Sequence, residues 1–346
     1  MRLCKPVTLI IVLTCALLAY CEYIVFHWAA HQWRYDPLPC QAKGTCVRIA
    51  AIADPQLQGY QDEPSGVIGS ITRYDADHYL RSAYGCLVQY MSPDVVVILG
   101  DVLDEGYQAD DESYVEYLDR FNSIFSPDMV SRIIVPGDND IGGEGRDTQD
   151  YKQVHRFEDW QGAVNQKSSL KGIEFVSINI LALTAQQKTV ESIKSTTQFV
   201  HDYTPVETFS VLLSHAPTTM LPKDKQRWLV ENIQPNLILS GHTHISGQQV
   251  SRGHSGSDLL EWTAPTFSYR MGVSKIGFLS ILVDPITHQV SMHECWLPSR
   301  YNHLAMYGVW AAALIFIGES VWLFNFWSSW VCQEEATDSA KLKRWS

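Results

Sequence analysis

Five short apolar runs punctuate the middle of the chain, and each ends in a residue able to hold a metal. Val47-Arg48-Ile49-Ala50-Ala51-Ile52 runs into Asp54, Val95-Val96-Val97-Ile98-Leu99 into Gly100-Asp101, and Ile133-Ile134-Val135 into Pro136-Gly137-Asp138. Val211-Leu212-Leu213 is followed by Ser214-His215, and Leu237-Ile238-Leu239 by Gly241-His242-Thr243-His244. Apolar runs without polar alternation predict strands buried on both faces. The longer stretches 74–90, 112–125, 185–203 and Lys223–Ile233 predict helices, while 262–268 and 275–296 look strand-rich. Strands alternating with helices predict one α/β layered domain over residues 38–300, with no internal repeat and no low-complexity linker. Ligands of open α/β sheets collect beyond the carboxyl ends of the strands, which is where these residues fall.

The two ends of the chain follow another pattern. Residues 7–21 carry no charge, and the apolar character resumes after Glu22 as far as Ala30, with Arg2 and Lys5 in front. This predicts an N-terminal membrane anchor over residues 1–30, the alternative being a signal peptide cleaved near Ala19-x-Cys21. Residues 304–332 are interrupted by Glu319 and Asn325, carry Trp310, Trp322, Trp327 and Trp330, and predict a transmembrane helix. Residues 333–346 then form a tail with Lys341, Lys343 and Arg344. Basic residues outside both blocks predict cytosolic termini and a lumenal middle. Lys343-Arg344-Trp345-Ser346 looks like a dibasic retrieval address.

The apolar ends explain the composition: 46% hydrophobic and only 18% charged residues in 346, with 11 Trp. The formal charge of −12 argues against a nucleic-acid partner, which needs a basic face. Eight cysteines are too few for a disulfide scaffold. Cys40 and Cys46 could close a bridge in an oxidising lumen, or stay as two free thiols. Cys86 and Cys295 read as buried thiols, and no Cys/His spacing suits a structural zinc.

An Asp after a strand is often a cap or turn residue, and a lone His is more often structural than a ligand. Six of them at one sheet edge are different. Asp54, Asp101, Asp138, His215, His242 and His244 would set carboxylates against one another, a conflict that divalent cations remove. Mixed imidazole and carboxylate ligands suit Mn²⁺, Fe²⁺ or Zn²⁺ better than Ca²⁺.

Asp54-Pro55-Gln56, Gly100-Asp101-Val102-Leu103-Asp104, Gly137-Asp138-Asn139-Asp140, Ser214-His215-Ala216-Pro217 and Gly241-His242-Thr243-His244 resemble, in content and order, the motifs of the calcineurin-like metallophosphoesterases. The stretches from Ile98 to Gly106, Asp140 to Gly142, Gly172 to Val176 and Ala264 to Arg270, with the Asp-Pro-Gln form of the first motif, look like the GPI-glycan ethanolamine-phosphate phosphoesterases of that superfamily. The resemblance implies a layered β-sandwich flanked by helices, here with a transmembrane helix at each end. It implies two divalent ions, manganese foremost, one held by Asp54, Gln56 and His244 and the other by Asp138, His215 and His242, with Asp101 bridging. Asp104 would orient a ligand from behind.

The third motif departs from the family pattern Gly-Asn-His-Asp/Glu. Asp138 stands where a neutral oxygen ligand is usual, which lowers the net charge of a loaded site to about +1. Asn139 stands where a His would stabilise or protonate the leaving group, and an amide donates a hydrogen bond but not a proton; His155 or His254 could supply one instead. Gln56 is a weaker ligand than His. The function that the resemblance implies is removal of ethanolamine phosphate from a GPI-anchor mannose, on a glycolipid or protein substrate at the membrane, between ER exit sites and the Golgi. The alternatives are a phosphomonoesterase acting on a lumenal phosphoglycan or phosphoprotein, and a weakened metal- or glycan-binding protein.

Overall fold

The computed structural model describes residues 5–40, 45–144, 148–184, 190–253, 256 and 258–342, with side chains from Pro6 to Trp327. His254 and the dibasic residues Lys343 and Arg344 lie outside the described residues. The chain divides into two compact units, Met1–Pro298 and Ser299–Ser346.

The first unit opens with α1 (Lys5–Ala19), a π-helical turn at Tyr20–Ile24, and α2 (Val25–Ala30). There follow β1 (Val47–Ile52), α3 (Val67–Met91), β2 (Val95–Leu99), α4 (Asp111–Ile124), β3 (Arg132–Val135) and the short α5 (Asp138–Ile141). Then come α6 (Tyr151–Gln161), β4 (Gln166–Leu170), β5 (Ile173–Ser177), α7 (Val190–Asp202), β6 (Phe209–Leu213), α8 (Lys223–Ile233) and β7 (Leu237–Ser240). Strands β8 (Gly247–Arg252), β9 (Asp258–Thr263), β10 (Gly277–Asp284) and β11 (Gln289–Trp296) complete the unit, and α9 (Arg300–Leu342) is the second. Residues 264–268, expected to be strand-rich, form a loop after β9, and residues 185–189 of the expected helix lie outside the described residues.

The strands form two sheets, β11-β10-β1-β2-β3 and β4-β5-β6-β7-β9-β8. In the first, β1, β2 and β3 are parallel; in the second, β5, β6, β7 and β9 are parallel. The side-chain period of two sorts each apolar run into two cores. Ile49, Ala51, Val95, Val97 and Leu99 meet Phe175, Val211, Leu213 and Leu239 between the sheets. The alternate residues Ala50, Ile52, Val96 and Ile98 pack with Tyr84, Leu87, Tyr117 and Phe121 of α3 and α4. On the far side, Val176, Leu212 and Ile238 meet Val200, Leu229 and Ile233 of α7 and α8. All residues of β2, β5, β6 and β7 are buried, and each fully buried aliphatic side chain contributes about 1.5–3 kcal/mol. The architecture is the expected layered sandwich flanked by helices.

Helix α4 shows how local sequence sets the layers. The Asp110 carboxylate accepts the Ser113 N–H at 2.8 Å, capping the first turn. Tyr114, Tyr117, Phe121 and Ile124 then recur at helical spacing and are buried.

Helices Pro6–Ala30 and Arg300–Trp327 are long and apolar enough to cross a membrane. The N-terminal one is not apolar surface throughout. Cys21, Val25, Phe26 and Ala30 are buried; Phe26 packs edge-on against Tyr79 of α3 at 5.3 Å, and Glu22 pairs with His78 at 3.0 Å. The C-terminal helix continues to Leu342, past residue 332 and into the stretch expected to be a tail, because no Pro or Gly stops it. Cys40 and Cys46 are bridged, with Cα atoms 5.7 Å apart, and Cys86 and Cys295 are buried thiols.

Candidate metal centre

The parallel strands point their carboxyl ends the same way, and their following loops converge there. Asp54 follows β1, Asp101 follows β2, Asp138 opens α5 after β3, His215 follows β6, and His242 and His244 follow β7. These turns are tight. Asp54, Gln56, Asp101, His242 and His244 are five of the nine non-glycine residues with positive φ among the described residues. Such backbone is strained for a side-chain-bearing residue and is held in place by its surroundings. Gly100 has φ +85, and a Cβ on it would lie 2.5 Å from His215 Nδ1, so only glycine lets that ring approach the β2 turn.

The seven expected ligands come together. His215 Nε2 lies 2.9 Å from Asp138 Oδ1 and 3.5 Å from Asp101 Oδ1. His242 Nδ1 lies 3.1 Å from both Asp138 Oδ1 and His215 Nε2. His244 Nε2 is 3.5 Å from Asp54 Oδ1, and Gln56 Nε2 is 3.2 Å from Asp101 Oδ2 and 3.4 Å from His244 Nε2. Two sets could each hold an ion: Asp138 with His215 and His242, and Asp54 with Asp101 and His215. The first is the expected set. In the second, His215 is the shared residue, while Gln56 and His244 stand at its margin; the expected partition gave the shared role to Asp101.

Three features of this cluster fit divalent cations. His215 Nδ1 lies 2.7 Å from the Leu99 carbonyl, which can only accept, so Nδ1 carries a proton and, in the neutral ring, Nε2 turns its lone pair toward carboxylates. A lone pair and carboxylate oxygens repel unless a cation joins them, and a ligating His typically donates its other N–H in this way. Asp54 is fully buried, yet its Oδ1 accepts no hydrogen bond among the described residues, a cost of about 1–3 kcal/mol unless a ligand meets it. The donor set itself mixes carboxylate and imidazole, as transition-metal sites do.

The electrostatics agree. Burial pushes the Asp101 carboxyl well above its usual range; His215 pulls against this, and Asp138, Asp54 and Asp140 add to it. Burial opposes ionisation of Asp138 too, but hydrogen bonds from His215 and His242 hold its carboxyl below the usual range. Burial would lower the His215 imidazole, yet Asp101, Asp138 and Asp54 raise it well above its ordinary value. Positive charge is wanted here.

Two residues that sequence reasoning passed over support the ligands. Asp140, fully buried, accepts the N–H groups of Gly137 at 2.8 Å, Leu103 at 3.1 Å and Val102 at 3.2 Å, tying the β2 and β3 turns together. This is the positioning role expected of Asp104, which instead shares an acidic group with Glu105, Asp62 and Glu63, opposed by Arg270. Glu144 Oε1 lies 3.5 Å from His242 Nε2 and so faces the ring nitrogen opposite the one turned to Asp138. The second Asp of Gly-Asp-Asn-Asp was a signal for Asp140; nothing in the sequence pointed to Glu144. Asn139 is half-buried, its N–H donating to Asp101 Oδ1 at 3.0 Å. His155 is exposed on α6, beside Asp159.

Known proteins share this pattern. The family model for calcineurin-like phosphoesterases matches residues 47–246. Cell division control protein 1 of Saccharomyces cerevisiae is 24% identical over 360 residues, spanning 88% of this chain and 72% of that protein. Metallophosphoesterase 1 of Rattus norvegicus is 23% identical over 356 residues, spanning 88% and 86%. Among solved structures, a dimetal phosphatase from Danio rerio aligns with 73% of this chain and 99% of its own at 13% identity and a TM-score of 0.44. With the family model covering more than half of its length, from β1 through the Gly-His-Thr-His turn, the chain belongs to the calcineurin-like phosphoesterase family and is a phosphoric ester hydrolase.

Proposed function

We propose that the chain is a manganese-dependent phosphodiesterase that removes ethanolamine phosphate from a mannose of a membrane-bound GPI glycan in the early secretory pathway. The observation that carries this reading is the seat of the N-terminal helix. The chain leaving α2 places Trp33 against the catalytic edge: its Nε1 donates to the Trp296 carbonyl at 2.9 Å and its ring packs edge-on to Phe278 at 5.1 Å. Trp296 pairs with Gly277, the Gly277 N–H donates to Thr266 O, and Thr266 bonds the backbone of both His244 and Asp54. A helix with the length and apolarity of a membrane span is thus stitched to the ligand turns, which suits a substrate held in the same membrane. The GPI glycan itself is supported by the resemblance of the motif stretches.

Two ions, held by Asp138, His215 and His242 and by Asp54, Asp101, Gln56 and His244, would supply an activated water and neutralise charge on the phosphoryl oxygens. The chain's own residues set the geometry. The Leu99 carbonyl orients the His215 imidazole, Asp140 holds the turns carrying Asp101 and Asp138, and Asn139 can donate a hydrogen bond to a leaving oxygen. Lacking an acid there, the site turns over slowly; loss of a general acid typically costs about 10²–10⁴ in rate.

Full-length protein in detergent with Mn²⁺, given a GPI glycan bearing ethanolamine phosphate, should release that group by mass spectrometry, and Asp101→Asn should not. Cleavage of phosphomonoesters with the diester left intact would overturn the assignment in favour of a phosphomonoesterase.

A further inference from the structure

Two clefts share a wall beside the metal centre. One, of about 420 Å³, is lined by Ile245 and Ser246, the two residues after His244, and by Lys275. The other, of about 300 Å³, lies between α2 and the end of β11 and is lined by Trp28, Gln32 and His293. Glu294 and Trp296 line both. The register puts them at the catalytic edge: β10 runs antiparallel to β1, so Gly277, and Trp296 opposite it, lie at the end where β1 reaches Asp54.

The two clefts adjoin at Glu294 and Trp296, and the chemistry of this groove selects its occupant. Trp28 is 65% exposed and offers an indole face; on a membrane helix it would also suit the lipid–water interface. Apolar Val25, Ala29, Leu297 and Val273 line parts of the groove, and Ser246 already donates to Glu294 while His293 pairs with Asp36. An alkyl chain running its length would still strip water from the Lys275 ammonium and the Gln32 amide with no hydrogen bond in return. Nor does the groove suit an ion, because the Glu294 carboxylate offsets the Lys275 ammonium, which already lies 5.2 Å from the Trp296 ring centroid. A neutral polyol matches both halves: its C–H faces stack on indole and its hydroxyls meet carboxylate, amide and imidazole.

We propose that this groove is a carbohydrate subsite, holding the sugar chain that flanks the hydrolysed phosphodiester and leading its lipid end toward α2. The assignment rests on the membrane-bound glycan substrate proposed above. The probe is mannotriose, which carries neither phosphate nor lipid, titrated into full-length protein in detergent and followed by tryptophan fluorescence and calorimetry. Saturable binding is expected, weakened about tenfold by Trp28→Ala and by Glu294→Gln while metal content stays at the wild-type level. Absence of saturable binding, binding indifferent to both substitutions, or full displacement of the sugar by diacylglycerol would overturn the subsite. Sugar binding without GPI cleavage would leave the subsite standing and remove the substrate reading; GPI cleavage without sugar binding would do the reverse.

Discussion

Asp54, Gln56, Asp101, His242 and His244 hold φ values from 42° to 70°, a conformation that costs a non-glycine residue about 1 kcal/mol or more. The fold carries that strain because it turns each side chain back over the end of its own strand. The residue types were legible from the sequence, since each strand ends in one; the partners were not. Asp140 meets Val102 and Leu103 only after two turns fold together, and Glu144 reaches His242 across a turn made by Gly142 and Gly143. Asp104 supplies a test outside the metal centre. Burial, then the neighbouring Glu105 and Asp62 charges, push its carboxyl up to about 6. Between the ordinary carboxylate range and that value, the folded chain binds more protons than the unfolded one. Stability from this group is therefore full below about pH 4 and falls as pH rises to about 6. Asp104→Asn should be more stable than wild type by about 1–3 kcal/mol at pH 7.5, with the difference gone near pH 4. Thermal unfolding at both values checks it; no gain at pH 7.5, or an equal gain at both, would contradict the placement.

The strands that carry ligands were the easiest elements to read. β2 and the first three residues of β7 are unbroken apolar runs, and β1 is broken only by the half-buried Arg48, because helices cover one face and the other sheet covers the second. β4 and β8 escaped notice: Gln166-Lys167-Ser168-Ser169-Leu170 and Gly247-Gln248-Gln249-Val250 lie at the two edges of the second sheet, largely exposed, and need no apolar pattern. Helix α6 buries Phe157 alone, too little to announce it. Between elements, the closest approach is that of β2 to β3. A Cβ on Gly137 would run into the Asp101 carboxylate and backbone nitrogen, although φ at Gly137 is an ordinary −104°. Gly137→Ala should therefore cost about 1–3 kcal/mol and lower the metal content, read by thermal unfolding and elemental analysis together. Unchanged stability with full metal content would mean that the two turns have more room than the structure gives them.

At the scale of the whole chain, the sequence runs from an apolar helix, partly buried by the enzyme core, through that core to a second apolar helix. The sequence announced both helices by length and apolarity, but not that Cys21, Val25 and Phe26 would pack into the core, since a buried and a lipid-facing apolar residue look alike. The basic residues beyond each helix predict cytosolic termini and a lumenal 54–244 segment. In sealed microsomes that segment should resist protease until detergent is added; digestion without detergent would contradict this topology. The central claim is that the ligand cluster holds the ions that drive hydrolysis. Its most direct test is the Mn²⁺-dependent rate of phosphodiester hydrolysis by metal-loaded wild type, Asp101→Asn and His242→Ala, with bound ions counted on the same samples. Wild type should hold two ions per chain and exceed each variant by about 10² or more, as expected for loss of a metal that stabilises the transition state, and His242→Ala should hold fewer ions. A wild-type rate indistinguishable from that of Asp101→Asn, or His242→Ala retaining both ions, would contradict it.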